Sequence, residues 1–265
     1  MSLIFVKLGG SLITDKRREA TVRFGVLRRL AHELREAREI NPALQVVLGH
    51  GSGSFGHWEA SHHGTRQGAH TPAQWQGFAK VSAAAARLNR IVTDTFLEAG
   101  LPVLSLQPSA SAQGEGGTLT TLALEPLRQA LAQRLIPLIY GDVAFDTAWG
   151  GTIFSTEDLF VYLTGELHPE QILLVGNAPG VLDDARQVIA RITPASYPAV
   201  AQFLGGSGGV DVTGGMADKV SRMLKLAQAT PGLRVWILSG RAPGNLRQAL
   251  LEPEKVIGTL LCAEA

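Results

Sequence analysis

Three lysines in this sequence stand beside glycine clusters, and a histidine closes another such cluster. Lys7 precedes Gly9-Gly10-Ser11, with Lys16 shortly after; Lys219 follows Gly214-Gly215. The run Gly49-His50-Gly51-Ser52-Gly53-Ser54-Phe55-Gly56 ends at His57, and Gly141-Asp142 forms a further site. Glycine lets backbone approach a ligand closely and leaves N–H groups free to face an anion, which helix N-termini and ammonium groups complement in charge. That combination suits an anion. No base–nucleophile pair stands out, so these residues read as a site that binds a negative group by charge and backbone position.

Rival motifs at the same residues fit less well. Gly51-Ser52-Gly53-Ser54-Phe55-Gly56 has the GxGxxG spacing of dinucleotide-binding folds. However, 57–69 carries no apolar period for the helix that motif opens, and no acid lies between Glu59 and Asp94 to bind a ribose. An NAD-dependent oxidoreductase is therefore a third reading. No GxxxxGK[ST] sequence occurs. Gly205-Gly206-Ser207-Gly208-Gly209 matches GxSxG as text but follows a helix-like stretch, not the strand a nucleophile elbow needs. His57, His62, His63 and His70 cluster without HExxH or comparable spacing, so no protein-held metal is expected.

The elements that must position these groups alternate. Strands are predicted at Leu3–Leu8, Gln45–Leu48, Leu101–Leu106, Ile136–Tyr140, Gln171–Val175 and Arg234–Leu238 from short β-branched apolar runs. Helices are predicted at Phe24–Ile40, Pro72–Leu97, Leu124–Arg134, Asp158–Glu166, Pro194–Phe203 and Ala217–Ala229, with Thr71 as a cap and Pro72 in the first position. Gln113–Gly117 and Gly205–Gly209 read as flexible loops. This alternation implies a three-layer αβα sandwich with an open, mainly parallel central sheet. Ligands bind beyond the carboxyl ends of such strands, where the glycines sit.

Composition narrows the classes. The chain has 265 residues, of which 30 are glycine and 45% hydrophobic, too apolar for disorder. Lys and Arg number 24 against 23 Asp and Glu, so no nucleic-acid or anionic-membrane field is expected. Cys262 is the single cysteine, which excludes an internal disulfide framework. The apolar runs are strand-length, and Met1–Lys7 lacks the pattern of a secretory signal. A soluble cytoplasmic chain is expected, one domain over 1–265 with lobes of about 1–170 and about 171–265.

Val6-Lys7-Leu8-Gly9-Gly10-Ser11-Leu12-Ile13-Thr14 with Lys16 resembles the start of the amino acid kinase superfamily. The loop Gly51-Ser52-Gly53-Ser54-Phe55-Gly56-His57 is similar to the narrower signature of isopentenyl phosphate kinases. Gln107-Pro108-Ser109-Ala110, Tyr140-Gly141-Asp142-Val143, Asp211-Val212-Thr213-Gly214-Gly215-Met216 with Lys219, and Ala242-Pro243-Gly244-Asn245 follow in the family's order. The resemblance implies phosphoryl transfer from ATP to isopentenyl phosphate, giving isopentenyl diphosphate, with Mg²⁺ and a homodimer. It implies that Lys7, Leu8, Gly9, Gly10 and Ser11 line the ATP phosphates, and that Gly53, Gly215 and Lys219 contact the nucleotide. Ser52, His57 and Gly141 would hold the acceptor, with Gly53 between the two ligands. Lys7, Lys16 and His57 would be catalytic, and Asp142 would hold the basic side chains in place. The chain departs from the family at Ser155-Thr156-Glu157-Asp158, where Ser-Gly-Asp is common, and at 175–182, where only Gly180 and Val181 match a TDVDGVY-like loop. Asn177 and Gly180 are the nucleotide contacts expected there.

The acceptor phosphate, with a second pKa near 6, is anionic at neutral pH and needs no general base. Its apolar tail needs a slot, for which Trp75, Phe78, Val81, Ser82, Ala85 and Ala86 share a helix, although their spacing is equally that of a core face. The alternatives are a kinase of another phosphate or phosphonate, such as fosfomycin, and an inactive phosphate-binding homologue. Retention of Lys7, Lys16, His57, Asp142 and Lys219 argues against the last, since a sensor does not need both halves of a transfer site.

Overall fold

The structure, a computed structural model, describes residues 2–204 and 215–263, apart from the side chains of His57, Trp58, Ser61, His62 and His63. The strands are β1 (Leu3–Leu8), β2 (Gln45–His50), β3 (Val103–Ser105), β4 (Gln113–Glu115), β5 (Thr118–Thr121), β6 (Ile136–Tyr140), β7 (Asp142–Asp146), β8 (Gly150–Phe154), β9 (Gln171–Gly176), β10 (Arg191–Ile192), β11 (Arg234–Ser239) and β12 (Gly258–Leu261). The helices are α1 (Gly10–Ile13), α2 (Phe24–Ile40), α3 (Gly53–His63), α4 (Pro72–Glu98), α5 (Glu125–Ala132), α6 (Thr156–Leu167), α7 (Tyr197–Leu204), α8 (Gly215–Ala229) and α9 (Asn245–Leu251).

One sheet of eight strands runs in the order β10-β12-β11-β9-β1-β2-β6-β3, and only the β11–β12 pair is antiparallel. Side chains alternate across β1. Ile4, Val6 and Leu8 enter the core under α2, α4 and α9, while Phe5 enters the opposite core under α6 and α8. The three-layer sandwich follows from that two-sided burial. Lys7 shares the Phe5 side, and this alone directs its side chain toward α6. In the parallel register Leu8 lies level with His50 on one side and Val175 on the other. The glycine segments after β1, β2 and β9 therefore emerge together.

Predicted and observed bounds agree at Phe24–Ile40 and Ile136–Tyr140, and the capping box of Thr71 with Gln74 opens α4. The strands β7, β8 and β12 and the helix α9 were not predicted, and three segments that the sequence reading did describe differ from it. Gln113–Gly117 belongs to a hairpin in a second sheet, β5-β4-β7-β8, instead of a flexible loop. Asp146 explains why, since its carboxylate accepts from the N–H groups of Gly116, Gly117, Ala148 and Trp149 at 2.8–2.9 Å and ties two turns together. A helix, α3, occupies Gly53–His63, which has no apolar period. Its start is fixed by tertiary bonds: Ser54 N–H donates to Thr14 Oγ1 at 2.9 Å, and Gly64 ends it at φ 60°. Only Val103–Ser105 of Leu101–Leu106 pairs as a strand. Gly205–Gly209 lies outside the described residues. No helix among the described residues is long and apolar enough to cross a membrane.

Candidate active site

The loops after β1 and β2 meet backbone to backbone. A Cβ on Gly10 would stand 2.6 Å from Gly53 Cα, so no larger residue fits without moving a main chain. Gly53 itself has φ +51°, and a Cβ there would stand 2.8 Å from both Gly10 O and Thr14 Cγ2. Thr14 stitches the two loops: its hydroxyl donates to Gly10 O at 2.7 Å and accepts from Ser54 N–H. Among the described residues, no group accepts the backbone N–H of Gly10, Ser11, Ser52 or Gly53. All four residues line one cavity. Free N–H groups on two converging loops form an anion cradle.

The cavity, about 400 Å³, is lined by Lys7, Gly9, Lys16, Gly51, Gly141, Arg66, Glu157, Gly215, Asp218, Lys219 and Arg222. Among the described residues, five cationic side chains face it against two carboxylates, a strongly positive site in a chain of formal charge +1. Ala60, Val81, Ala85 and Ile153 add apolar lining to it. A second cavity of about 200 Å³, lined by Val175, Gly176, Asn177, Ala178, Met216 and Ile237, shares Lys7, Gly9, Ser11 and Lys219 with the first. Lys7 and Lys219 stand at the junction.

Glu157 holds that junction. Lys7, only 9% exposed, donates to and ion-pairs with its carboxylate. Burial opposes charge on Glu157, but the Lys7 and Lys219 ammonium groups outweigh it and carry the carboxyl down to about 2. It is an anion at neutral pH. Ser155 caps α6, its hydroxyl and N–H reaching Asp158, and Asp158 in turn pairs with Arg222 on α8. Arg222 also meets Asp218 at 3.3 Å, so α6 and α8 are laced across the cavity wall.

The fold places three of the expected site residues apart from the cavity lining. Asp142 does not hold the basic side chains. It is buried outside the cavity lining, accepts from Ser109 N–H and Val143 N–H, and takes the hydroxyls of Ser82 and Ser109; no cation pairs with it among the described residues. Burial pushes its carboxyl up, against those hydrogen bonds. The acid beside the lysines is Glu157, in the Ser155–Asp158 segment where the sequence departs from the family it resembles. Gly180 lines neither of the two cavities. It packs on β12, where a Cβ would stand 2.7 Å from Thr259 Oγ1, and the next residue's N–H donates to that hydroxyl. Leu8 is a fully buried core side chain that lines neither cavity.

Lys7, Gly9, Gly10, Ser11, Lys16, Ser52, Gly53, Gly141, Gly215 and Lys219 gather around the first cavity, and Asn177 lines the second. Asn177 Nδ2 donates to Ser11 O at 2.8 Å while its buried Oδ1 has no partner among the described residues, leaving an acceptor beside the second cavity. The side chain of His57 and residues 211–214 lie outside the described residues. Of the tail-pocket candidates, Val81 and Ala85 line the cavity; Trp75 and Phe78 pack on each other and on Phe145. Thr14, Arg66, Glu157 and Arg222 were missed by sequence reading, since they become neighbours only in the fold. Glu157 alone carried a signal, the departure at its segment. No group of three or more metal-binding side chains occurs among the described residues.

The sequence matches a family model, "Amino acid kinase family", over residues 2–239. It is 37% identical over 254 residues to an isopentenyl phosphate kinase of Haloferax volcanii, covering 93% of this chain and 98% of that one. It is 31% identical over 256 residues to the isopentenyl phosphate kinase of Methanocaldococcus jannaschii, covering 94% and 95%. A solved structure described as "X-ray structures of isopentenyl phosphate kinase" superposes with a TM-score of 0.81 at 28% identity, covering 97% of this chain and 99% of that chain.

Proposed function

Because this chain belongs to the amino acid kinase family, we propose that it transfers the γ-phosphoryl group of ATP to isopentenyl phosphate, yielding isopentenyl diphosphate and ADP. The observation that carries the reading is the lining of the first cavity: an anion cradle with five cations, together with the apolar side chains of Ala60, Val81, Ala85 and Ile153. A short branched hydrocarbon on a phosphate satisfies both parts of that lining. A small polar phosphonate leaves the apolar part unfilled. The names of the relatives support the same substrate.

The nucleotide takes the second cavity, with its phosphates reaching the junction at Lys7 and Lys219. The acceptor phosphate takes the Ser52–Gly53 side of the first, and the sequence resemblance adds the His57 imidazole as a donor to it. Two anions must approach in line, so the barrier lies in their repulsion. Lys7 lowers it from a fixed position, because its pairing with Glu157 removes the freedom of a long side chain before substrate arrives. Lys16, from the loop after α1, adds a second charge at the same cavity. The free N–H groups of Gly10, Ser11, Ser52 and Gly53 supply dipoles already aimed, which cost no reorganisation during transfer.

Magnesium fits as a companion of the nucleotide. Glu157 and Asp218 line the cavity but are engaged by Lys7 and Arg222, so the ion would rest chiefly on phosphate oxygens and water, as Mg²⁺ commonly does. When bound it neutralises phosphate charge. A homodimer and a cytoplasmic setting belong to the same reading, as do lobes of about 1–170 for the acceptor and about 171–265 for the nucleotide.

The test is ADP release with a panel of acceptors. Isopentenyl phosphate should give the highest kcat/KM, ahead of fosfomycin and of carboxylates such as N-acetylglutamate. A preference for either of those acceptors contradicts the proposal.

A further inference from the structure

His50 ends β2 one residue before the cradle loop, and phosphoryl transfer as described gives it no task. Its side chain is wholly buried and lies stacked on Tyr140, ring centroids 5.5 Å apart and planes 4° from parallel. Nδ1 lies 3.2 Å from Gly51 O, and Nε2 lies 3.3 Å from Oδ1 of Asn89 on α4. Asn89 Nδ2 lies 2.5 Å from the Ser105 hydroxyl on β3. The titratable group facing the ring from β1 is Lys7, and from β6 Tyr140.

Hydrogen-bond supply fixes the direction of this chain. Gly51 O can only accept, so Nδ1 must carry the proton. Burial holds the ring neutral, with its pKa brought down to about 4, so Nε2 must accept. The structure turns Asn89 Oδ1 to Nε2 and Nδ2 to Ser105, which would set two acceptors face to face once the single ring proton is on Nδ1. We therefore assign the amide the other way round, its NH₂ to Nε2 and its oxygen to a donating Ser105 hydroxyl, the orientation the bond to Gly51 O requires.

The bond to Gly51 O has a geometric consequence. The Gly51–Ser52 peptide is trans, so its C=O and the Ser52 N–H point in opposite directions. Turning the carbonyl toward buried His50 turns the Ser52 N–H away from it, to the cavity that Gly51, Ser52 and Gly53 line. We propose that His50, locked as its neutral Nδ1–H tautomer by Asn89 and Ser105, is a positioning residue that sets the Gly51–Ser52 peptide so that the cradle presents N–H groups to the acceptor phosphate. This rests on the reading of that loop as the acceptor site, and it adds a strut linking α4, whose residues line the same cavity, to the loop that holds the phosphate.

Nitrogen-15 NMR of histidine-labelled protein tests the tautomer without substrate. The His50 signals are identified by their loss in His50→Asn, or by contact with the Tyr140 ring if that variant does not fold. A neutral ring protonated at Nδ1 from pH 7 to pH 5 is expected. Protonation at Nε2, or a charged ring at pH 7, overturns the inference. The loop's role is read by titrating inorganic phosphate against the Ser52 and Gly53 amide signals. His50→Leu should weaken binding at least tenfold, and His50→Asn, which can still donate to Gly51 O, should recover most of it. Equal binding in all three proteins, or equal loss in both variants alongside equal loss of Tm, overturns it. Assayed with isopentenyl phosphate, His50→Leu should show a lower kcat and a higher acceptor KM with the ATP KM little changed, and His50→Asn should recover most of both. A wild-type protein that binds phosphate here but does not phosphorylate isopentenyl phosphate contradicts the substrate reading alone.

Discussion

Lys7 and Glu157 form the pair on which the chemistry turns. Removing the ammonium in Lys7→Ala should lower kcat by about 10²–10³, the range found when one preorganised donor to developing charge is lost. Glu157→Gln keeps the shape but leaves Lys7 loosely held, so kcat should fall more than either KM; initial-rate kinetics over both substrates separate these terms. An unchanged kcat in Glu157→Gln would mean that the pair is structural. His50 and Glu157 also make stability depend on pH, both in the same direction. The neutral form of His50 is favoured in the fold, with a pKa of about 4 against 6.5 when free. Its contribution is complete above pH 6.5 and is lost as pH falls toward 4, by about 3 kcal/mol. The Glu157 contribution, present above 4.5, goes next as pH falls toward 2. Denaturant midpoints should therefore decline in two stages on acidification, and His50→Asn should flatten the first.

At the scale of elements, the site depends on loops brought together by sheet register and on helices that seal it. Gly10→Ala places a methyl group against Gly53 N and should separate the loops, abolishing turnover while β1 and β2 still pair. On α4, Val81→Phe should obstruct the apolar part of the cavity, raising the KM for isopentenyl phosphate about tenfold or more with the ATP KM unchanged; equal effects on both substrates would place Val81 elsewhere than the tail site. Asp146→Ala leaves four N–H groups without their acceptor at exposed turns and should cost about 2 kcal/mol in chemical denaturation. These elements were unequally legible in the sequence. Phe24–Ile40 announced itself by apolar periodicity, and α4 by Thr71 and Pro72. The helix α3 did not, because Thr14 and the packed glycines hold its start and its own residues carry no stripe. The β4–β5 hairpin was hidden for a related reason: Asp146, thirty residues away in sequence, fixes its turn.

Across the whole molecule, a charge of +1 conceals a cavity with five cations, because the acids balancing them lie mostly on other surfaces. The anion-binding character of the site was legible, since glycine clusters after strands and lysines beside them are local signals. The partner of Lys7 was not: Glu157 is 150 positions away, and only the packing of α6 over β1 joins them. Asp142 illustrates the opposite error, a family position read as a holder of lysines that the fold buries beneath the site with Ser82, Ser109 and Val143 as partners. Glu33 shows how far such acids act, reaching from α2 to accept the N–H groups of Gly244 and Leu246 at 3.0 Å and fixing the start of α9. The identity of the product decides between a kinase of isopentenyl phosphate and every other reading. Phosphorus-31 NMR of the protein with ATP, Mg²⁺ and isopentenyl phosphate should show the acceptor's single resonance replaced by the coupled pair of a diphosphate ester, with ADP formed in equal amount and both forming about 10²–10³ times more slowly with Lys7→Ala. ATP hydrolysis to free phosphate, with isopentenyl phosphate untouched, would contradict it.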